Sequence, residues 1–192
     1  MKVLNYTLII GFCIFSLLSI SKADFVNIKN PLEGRYKFLG RAKNGKKFRF
    51  TVEFDLWKDM DIGVYQYKYR IYNNRDASHS RIRALLFYHS GSIISYGWDR
   101  GKYAPHCFGD NGRFAYFVWK CNKIPPNRIT PWFWITSYLA PQIFPARGCA
   151  VSPCAKAYGK LPAPAPEPLS VILVMSAFFL IVISSKFGVF YS

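Results

Sequence analysis

Acidic residues are scarce in this chain. Its 192 residues include 10 Asp and Glu against 26 Lys and Arg, a formal net charge of +16. With so few acids, carboxylate-based chemistry has few places to sit. Asp55, Asp59 and Asp61 gather around Trp57, and Gly63 follows. A Ca²⁺ loop needs several oxygen ligands at fixed spacing, and here Lys58 interrupts and the other ligands are missing, so a solvated turn is expected. Histidine is equally sparse: His79, His89 and His106 are scattered. Ser80, Ser90 and Cys107 adjoin them in sequence, but a nucleophile must meet its base in space, and adjacency is not a triad. No nucleophile elbow and no zinc-protease pattern occurs. The expectation is a protein with no catalytic residues, no cofactor and no metal site. An internal repeat is missing, and so is any amphipathic helical pattern of useful length. Disorder is excluded, because 51% of the residues are hydrophobic and 18% aromatic.

The apolar residues concentrate at the two ends. Lys2 begins a short positive region, and residues 8–20 form an apolar run broken only by Gly11 and serines. Ser21-Lys22-Ala23 then places small residues where a signal peptidase reads them, so residues 1–23 are predicted to be a secretory signal. The alternative is an uncleaved N-terminal anchor. Losing the signal removes Lys2 and Lys22, which takes the net charge from +16 to +14. The excess charge therefore belongs to the exported body, residues 24–160.

At the other end, residues 161–168 read LPAPAPEP, and proline's fixed φ predicts a stiff, extended spacer. Residues 169–183 are uncharged and mostly apolar, and the first charge after them is Lys186. Fifteen residues is short against the roughly 20 that cross a bilayer. Counting past a snorkelling Lys186 reaches that length, so residues 169–192 are expected to hold a single transmembrane helix. A buried core helix is the bland alternative.

The body alternates with period two. Phe48, Phe50, Val52, Phe54 and Leu56 alternate with Arg49, Thr51, Glu53 and Asp55; Tyr65, Tyr67, Tyr69 and Ile71 alternate with Gln66, Lys68 and Arg70. This is the pattern of half-buried antiparallel strands. Further strand-like runs are residues 35–39, 82–88, 92–96, 114–119 and 132–138. Turn signals separate them, among them Asn44-Gly45, Ser90-Gly91 and Asp110-Asn111-Gly112. Many short strands with such turns indicate an all-β sandwich or barrel. A two-sheet antiparallel sandwich, of jelly-roll or immunoglobulin-like type, is the favoured expectation.

The tail resembles the PEP-CTERM sorting signal of bacterial surface proteins. Pro166-Glu167-Pro168 matches the motif, residues 169–185 the span, and Lys186 stands alone where the family has a basic cluster. The resemblance implies recognition by an exosortase, a membrane transpeptidase that removes the tail and passes the protein to the cell surface. A plain single-pass anchor and a GPI signal are the alternatives. The body loosely resembles the β-domains of such proteins: Tyr65-Gln66-Tyr67-Lys68-Tyr69 ending at Asn73, the run 82–88, Gly97-Trp98, then the run 132–138 and Pro141. That family carries no defined activity, so the likeness bears on location.

Four cysteines remain in the body: Cys107, Cys121, Cys149 and Cys154. An even count in an exported domain suggests two disulfides, and short contour length favours Cys107–Cys121 and Cys149–Cys154. A zinc site is the lesser alternative, since the five-residue spacing is wide and no matching histidine pair follows. The densest cationic group is Arg41, Lys43, Lys46, Lys47 and Arg49, at the Asn44-Gly45 turn; Arg75, Arg81 and Arg83 form a smaller one. Clustered cations attract polyanions. Outside the cytoplasm these include acidic exopolysaccharide, lipopolysaccharide phosphates, teichoic acid and extracellular DNA. The competing reading is a solvated face. A specific nucleic-acid role is not expected, since no recognisable module is present. A second functional reading is a carbohydrate-binding module using Trp98, Trp132 and Trp134; a surface hydrolase ranks third.

Overall fold

In the computed structural model, residues 25–42, 44–74, 80–151 and 154–165 are described. The expected signal (1–23), the motif Pro166-Glu167-Pro168, Lys186 and the tail lie outside these residues, as do Lys43, Arg75 and His79. Among the described residues no helix is long and apolar enough to cross a membrane.

The chain folds as β1 (Phe25–Asn27), β2 (Gly34–Ala42), β3 (Lys47–Asp59), β4 (Tyr65–Asn73), β5 (Arg81–Tyr88), β6 (Ser95–Trp98), β7 (Cys107–Asp110), β8 (Phe114–Val118), β9 (Arg128–Ile129), β10 (Phe133–Ser137), β11 (Pro141–Val151) and β12 (Ala155–Pro164). All pairings are antiparallel. The strands form one 12-stranded sheet in the order β6-β10-β4-β3-β2-β12-β11-β5-β8-β7, with β1 added beside β3 and β9 beside β4.

The all-β, antiparallel expectation holds, but the sandwich does not. A single sheet curls until it faces itself, giving a nearly closed barrel. Tyr96 of β6 stacks on Phe108 of β7 with ring centroids 4.5 Å apart, which brings the two ends of the sheet together by side chains rather than by a ladder. Inside, Tyr69 of β4 meets Phe87 of β5 at 5.3 Å, and Phe117 of β8 meets Phe133 of β10 at 4.6 Å. A sandwich and a barrel both bury one face of every strand, so alternation alone cannot separate them.

The interior is aromatic. Phe38, Phe48, Phe50, Phe54, Tyr67, Tyr69 and Trp119 are among the largest fully buried side chains, each contributing on the order of 1.5–3 kcal/mol by burial. Tyr69 donates its hydroxyl proton to the Pro162 carbonyl at 2.8 Å, and Tyr67 donates to that of Leu139. Burial pushes both phenols well above their ordinary pKa. Small residues opposite make room for the rings. A Cβ on Gly148 of β11 would lie 2.2 Å from the Phe50 ring, so only glycine lets that ring lie against the sheet. Apolar inside and charged outside is the inverse of a barrel whose outer band faces lipid.

β12 corrects the expected spacer. It runs to Pro164, and residues 161–165 are buried. The pairing of β2 with β12 ends at Leu39↔Tyr158, while β11 follows β12 on to Pro141↔Pro164. Beyond Tyr158, β12 has a ladder on one side only, where alternating prolines lacking N–H are tolerated.

Candidate polyanion-binding face

The outer face of β2, β3, β11 and β12 is built by alternation. In β2, Lys37, Leu39 and Arg41 are exposed around buried Phe38 and Ala42. In β3, Lys47 and Arg49 are exposed around buried Phe48 and Phe50. In β12, Lys156, Tyr158 and Lys160 are exposed, with Ala155 and Ala157 buried beneath. Arg147 projects from β11 between buried Ala146 and Gly148.

Register turns these positions into rows across the strands. Arg41 stands opposite Lys47 on one side and opposite Lys156 on the other. Leu39 stands between Arg49 and Tyr158, and Tyr158 faces Arg147. The row Lys47–Arg41–Lys156 thus places three cations side by side. Like charges directly opposite one another cost a few tenths to about 1 kcal/mol per pair. Among the described residues no carboxylate pairs with any cation of this face. The described carboxylates stand elsewhere: Glu33 before β2, where it accepts from the Leu56 amide, Glu53 and Asp55 opposite Arg70 and Lys68 of β4, Asp59 and Asp61 at the β3–β4 hairpin, Asp99 after β6, and Asp110 at the β7–β8 hairpin.

Arg41, Lys47 and Arg49 stand together on this face, and Lys46 lies exposed at the hairpin tip. Lys37, Arg147, Lys156 and Lys160 complete the face from outside the run at the Asn44-Gly45 turn. The available signal was Ala155-Lys156-Ala157-Tyr158-Gly159-Lys160, which alternates small with charged or aromatic. Arg81 and Arg83 are exposed on β5, where the register with β11 shifts.

The neighbouring outer face of β3, β4 and β10 treats its cations differently. Lys68 lies over Trp57 at 4.6 Å and Trp132 at 5.8 Å; Arg70 lies over Trp132 at 4.5 Å and Tyr72 at 5.3 Å; Arg35 lies over Tyr72 at 5.0 Å. Glu53 accepts from Arg70 Nη2 at 2.6 Å, from Arg70 Nε at 3.0 Å and from the Tyr72 hydroxyl. Burial opposes ionisation of Glu53, but the hydrogen bonds from Tyr72 and Arg70 and the charges of Arg70 and Arg35 outweigh it and lower its pKa. Asp55, two residues on, is raised by burial and by Glu33 and Glu53, against Lys68 and Arg70.

The signs give a prediction. A lowered folded pKa means that Glu53 contributes stability above its unfolded value, lost as pH falls through the folded value. A raised one means that ionised Asp55 costs stability at neutral pH. Glu53→Gln is thus expected to destabilise by roughly 1 kcal/mol at pH 7, discounted for partial exposure. Asp55→Asn is expected to stabilise slightly. Thermal melts from neutral to acid pH check this, and both differences should shrink as acid protonates the wild-type carboxyls.

Of the remaining candidates, Asp59 and His89 hold parts of the fold together. Asp59 is buried, and its Oδ1 accepts from the Asp61 and Ile62 amides, closing the β3–β4 turn. Buried His89 donates from Nδ1 to the Gly91 carbonyl at 2.6 Å and pairs through Nε2 with Asp110 at 2.9 Å, tying the β7–β8 hairpin to the barrel. His106 is exposed. No metal-competent group of His, Cys, Asp and Glu occurs among the described residues. Cys107, Cys121, Cys149 and Cys154 are free thiols. Cys149 faces Lys156 rather than Cys154, and Cys107 faces Val118, three residues short of Cys121.

The three candidate sugar-stacking tryptophans are already engaged. Trp132 is covered by Arg70, a Cβ on Gly97 would strike Trp134 at 2.4 Å, and Trp98 packs against the core. No family model, curated protein or solved structure matches the chain.

Proposed function

We propose that this is an exported cell-surface protein, anchored or sorted by its C-terminal tail, whose basic barrel face holds anionic polymer in a structural or matrix role. Acidic exopolysaccharide is the favoured polymer. The observation that carries the reading is the row Lys47–Arg41–Lys156: three cations in adjacent strands with no described counter-charge. A merely solvating surface gains nothing from placing like charges directly opposite.

The tail supports the cellular half of the proposal. The barrel's last strand ends at Pro164, and Pro166-Glu167-Pro168 follows after one residue. In sequence the motif follows the barrel's last strand closely, and an exosortase-like enzyme is the implied processing partner. The carbohydrate-module alternative is less well supported, because its tryptophan faces are occupied.

Two measurements test this. The full chain in mild detergent, titrated with acidic polysaccharide, is expected to bind at low salt, with log K falling as log salt rises. Absence of binding at low salt sinks the polymer role. Mass spectrometry of protein from its native cells should find a C-terminus near Pro168 carrying an attached group. An intact Ser192 would leave a simple anchor.

A further inference from the structure

Three depressions on the outer face share residues end to end. The first, of about 340 Å³, is lined by Leu86, Tyr88, Phe114, Pro145, Arg147 and Tyr158 among others. The second, of about 400 Å³, shares Tyr158 and adds Arg41 and Lys156. The third, of about 290 Å³, shares Arg41 and adds Lys47 and Arg49. They follow one another across neighbouring strands, in the order β8-β5-β11-β12-β2-β3. At about 4.8 Å per strand this path is roughly 24 Å long, the length of a short oligosaccharide.

The two ends of the path differ. At the β8 end, Tyr88 and Phe114 are paired in register with ring centroids 4.1 Å apart. Tyr158 is 60% exposed and Tyr88 44%. Among the described residues no cation and no other ring stacks on Tyr158, unlike Trp57 and Trp132. Directly opposite Tyr158, one rung away, stands Arg147. At the β3 end Arg41, Lys47 and Arg49 surround Leu39, with no aromatic ring.

We propose that this path is a binding track for a linear polysaccharide whose sugar rings carry carboxylates, a uronate polymer. The inference rests on the polyanion reading above and names the polymer class. A uronate unit joins an apolar ring face and a carboxylate in one residue. Tyr158 and Arg147 present a ring and a planar fork one rung apart, about 5 Å between Cβ atoms. The ring takes the sugar face, and the guanidinium takes the carboxylate through two parallel hydrogen bonds. Successive carboxylates then run toward Arg41, Lys156, Lys47 and Arg49. In a nucleic acid the sugar separates the stacking ring from the phosphate, so one rung does not match both. Polyphosphate has no ring for Tyr158 at all.

The test uses the full chain in mild detergent with three probes: oligogalacturonate, polyphosphate and single-stranded oligothymidylate. Tyr158→Ala removes an exposed side chain, and Arg147→Lys keeps the charge but loses the fork. Each is expected to weaken oligogalacturonate binding roughly 10-fold while leaving polyphosphate within about 2-fold of wild type. Equal loss for all three probes, or no loss for oligogalacturonate, overturns the track. Loss for oligothymidylate matching that for oligogalacturonate overturns it in favour of a nucleic-acid strand. If the wild type binds none of the probes, the polyanion reading itself fails, a result distinct from the others.

Discussion

Gly40→Ala, the addition of one methyl group, is expected to destabilise the barrel by about 3 kcal/mol or more. A Cβ at position 40 would lie 1.9 Å from the carbonyl oxygen of Lys156 and 2.7 Å from the Cα of Ala157. Both are backbone atoms of β12, so no side chain can rotate aside. The β2–β12 ladder has four residue pairs, Ala42↔Ala155 to Leu39↔Tyr158, and Gly40 stands within it opposite Ala157. Glycine in a strand marks a close backbone approach or a bend at a barrel corner. To admit the methyl, β12 must move away from β2 and lose ladder bonds. For a domain of this size the loss corresponds to a fall in melting temperature of about 10 °C. Gly91→Ala is the control. Its Cβ meets the Leu139 side chain at 2.1 Å, a group whose flexible end can turn away, so its effect should be much smaller. The seam also carries the Arg41↔Lys156 pairing, so polyanion binding by Gly40→Ala should weaken together with stability. A melting point within about 2 °C of wild type would rule out the close approach of β12 to β2.

The strands legible in the sequence are those whose inward residues are large. Phe48 to Leu56 and Tyr65 to Ile71 announce themselves because every second residue is aromatic or aliphatic and its neighbours are polar. β11 and β12 bury Ala146, Gly148, Ala150, Ala155 and Ala157 instead. These positions are small because they face large rings: Phe38 and Phe50 stack 4.5 Å apart, and Gly148 receives the Phe50 edge. One strand's volume is set by its partner's, which no local window contains. Proline adds to the difficulty, since Pro162 and Pro164 suggest a spacer until the one-sided ladder of β12 is known. The barrel was not separable from a sandwich for the same reason, because closure depends on contacts such as Tyr96 with Phe108. The site divides likewise. Arg41, Lys47 and Arg49 are close in the chain and visible as a run. Lys156 and Arg147 join them only through pairings more than a hundred residues apart, so half of the face lies beyond any local reading of charge.

Arg41→Glu is expected to raise stability and lower polyanion affinity at the same time. In the wild type Arg41 sits between Lys47 and Lys156 and repels both. Glutamate at the same outward position would attract both, and two opposite-charge rungs replace two like-charge ones. At a few tenths of a kcal/mol to about 1 per pair, the gain is about 1 kcal/mol, or roughly 3 °C in melting temperature. High salt should erase it, because exposed charges are screened within a Debye length. Binding moves the other way. The row changes from three cations to two flanking an anion, and the polymer then meets a carboxylate at the centre of the face. Affinity at low salt is expected to fall by about 10- to 100-fold, with the slope of log K against log salt shallower by about two contacts. Arg81→Glu, an exposed arginine on β5 outside the three depressions, should change binding by less than about 3-fold. The opposed signs distinguish a binding role from a structural one. A cation retained only for solubility would give a more stable variant with unchanged affinity. A cation retained for folding would give a less stable one. Only a row held together against its own repulsion, for the sake of a polyanion, gives a variant that melts higher and binds less.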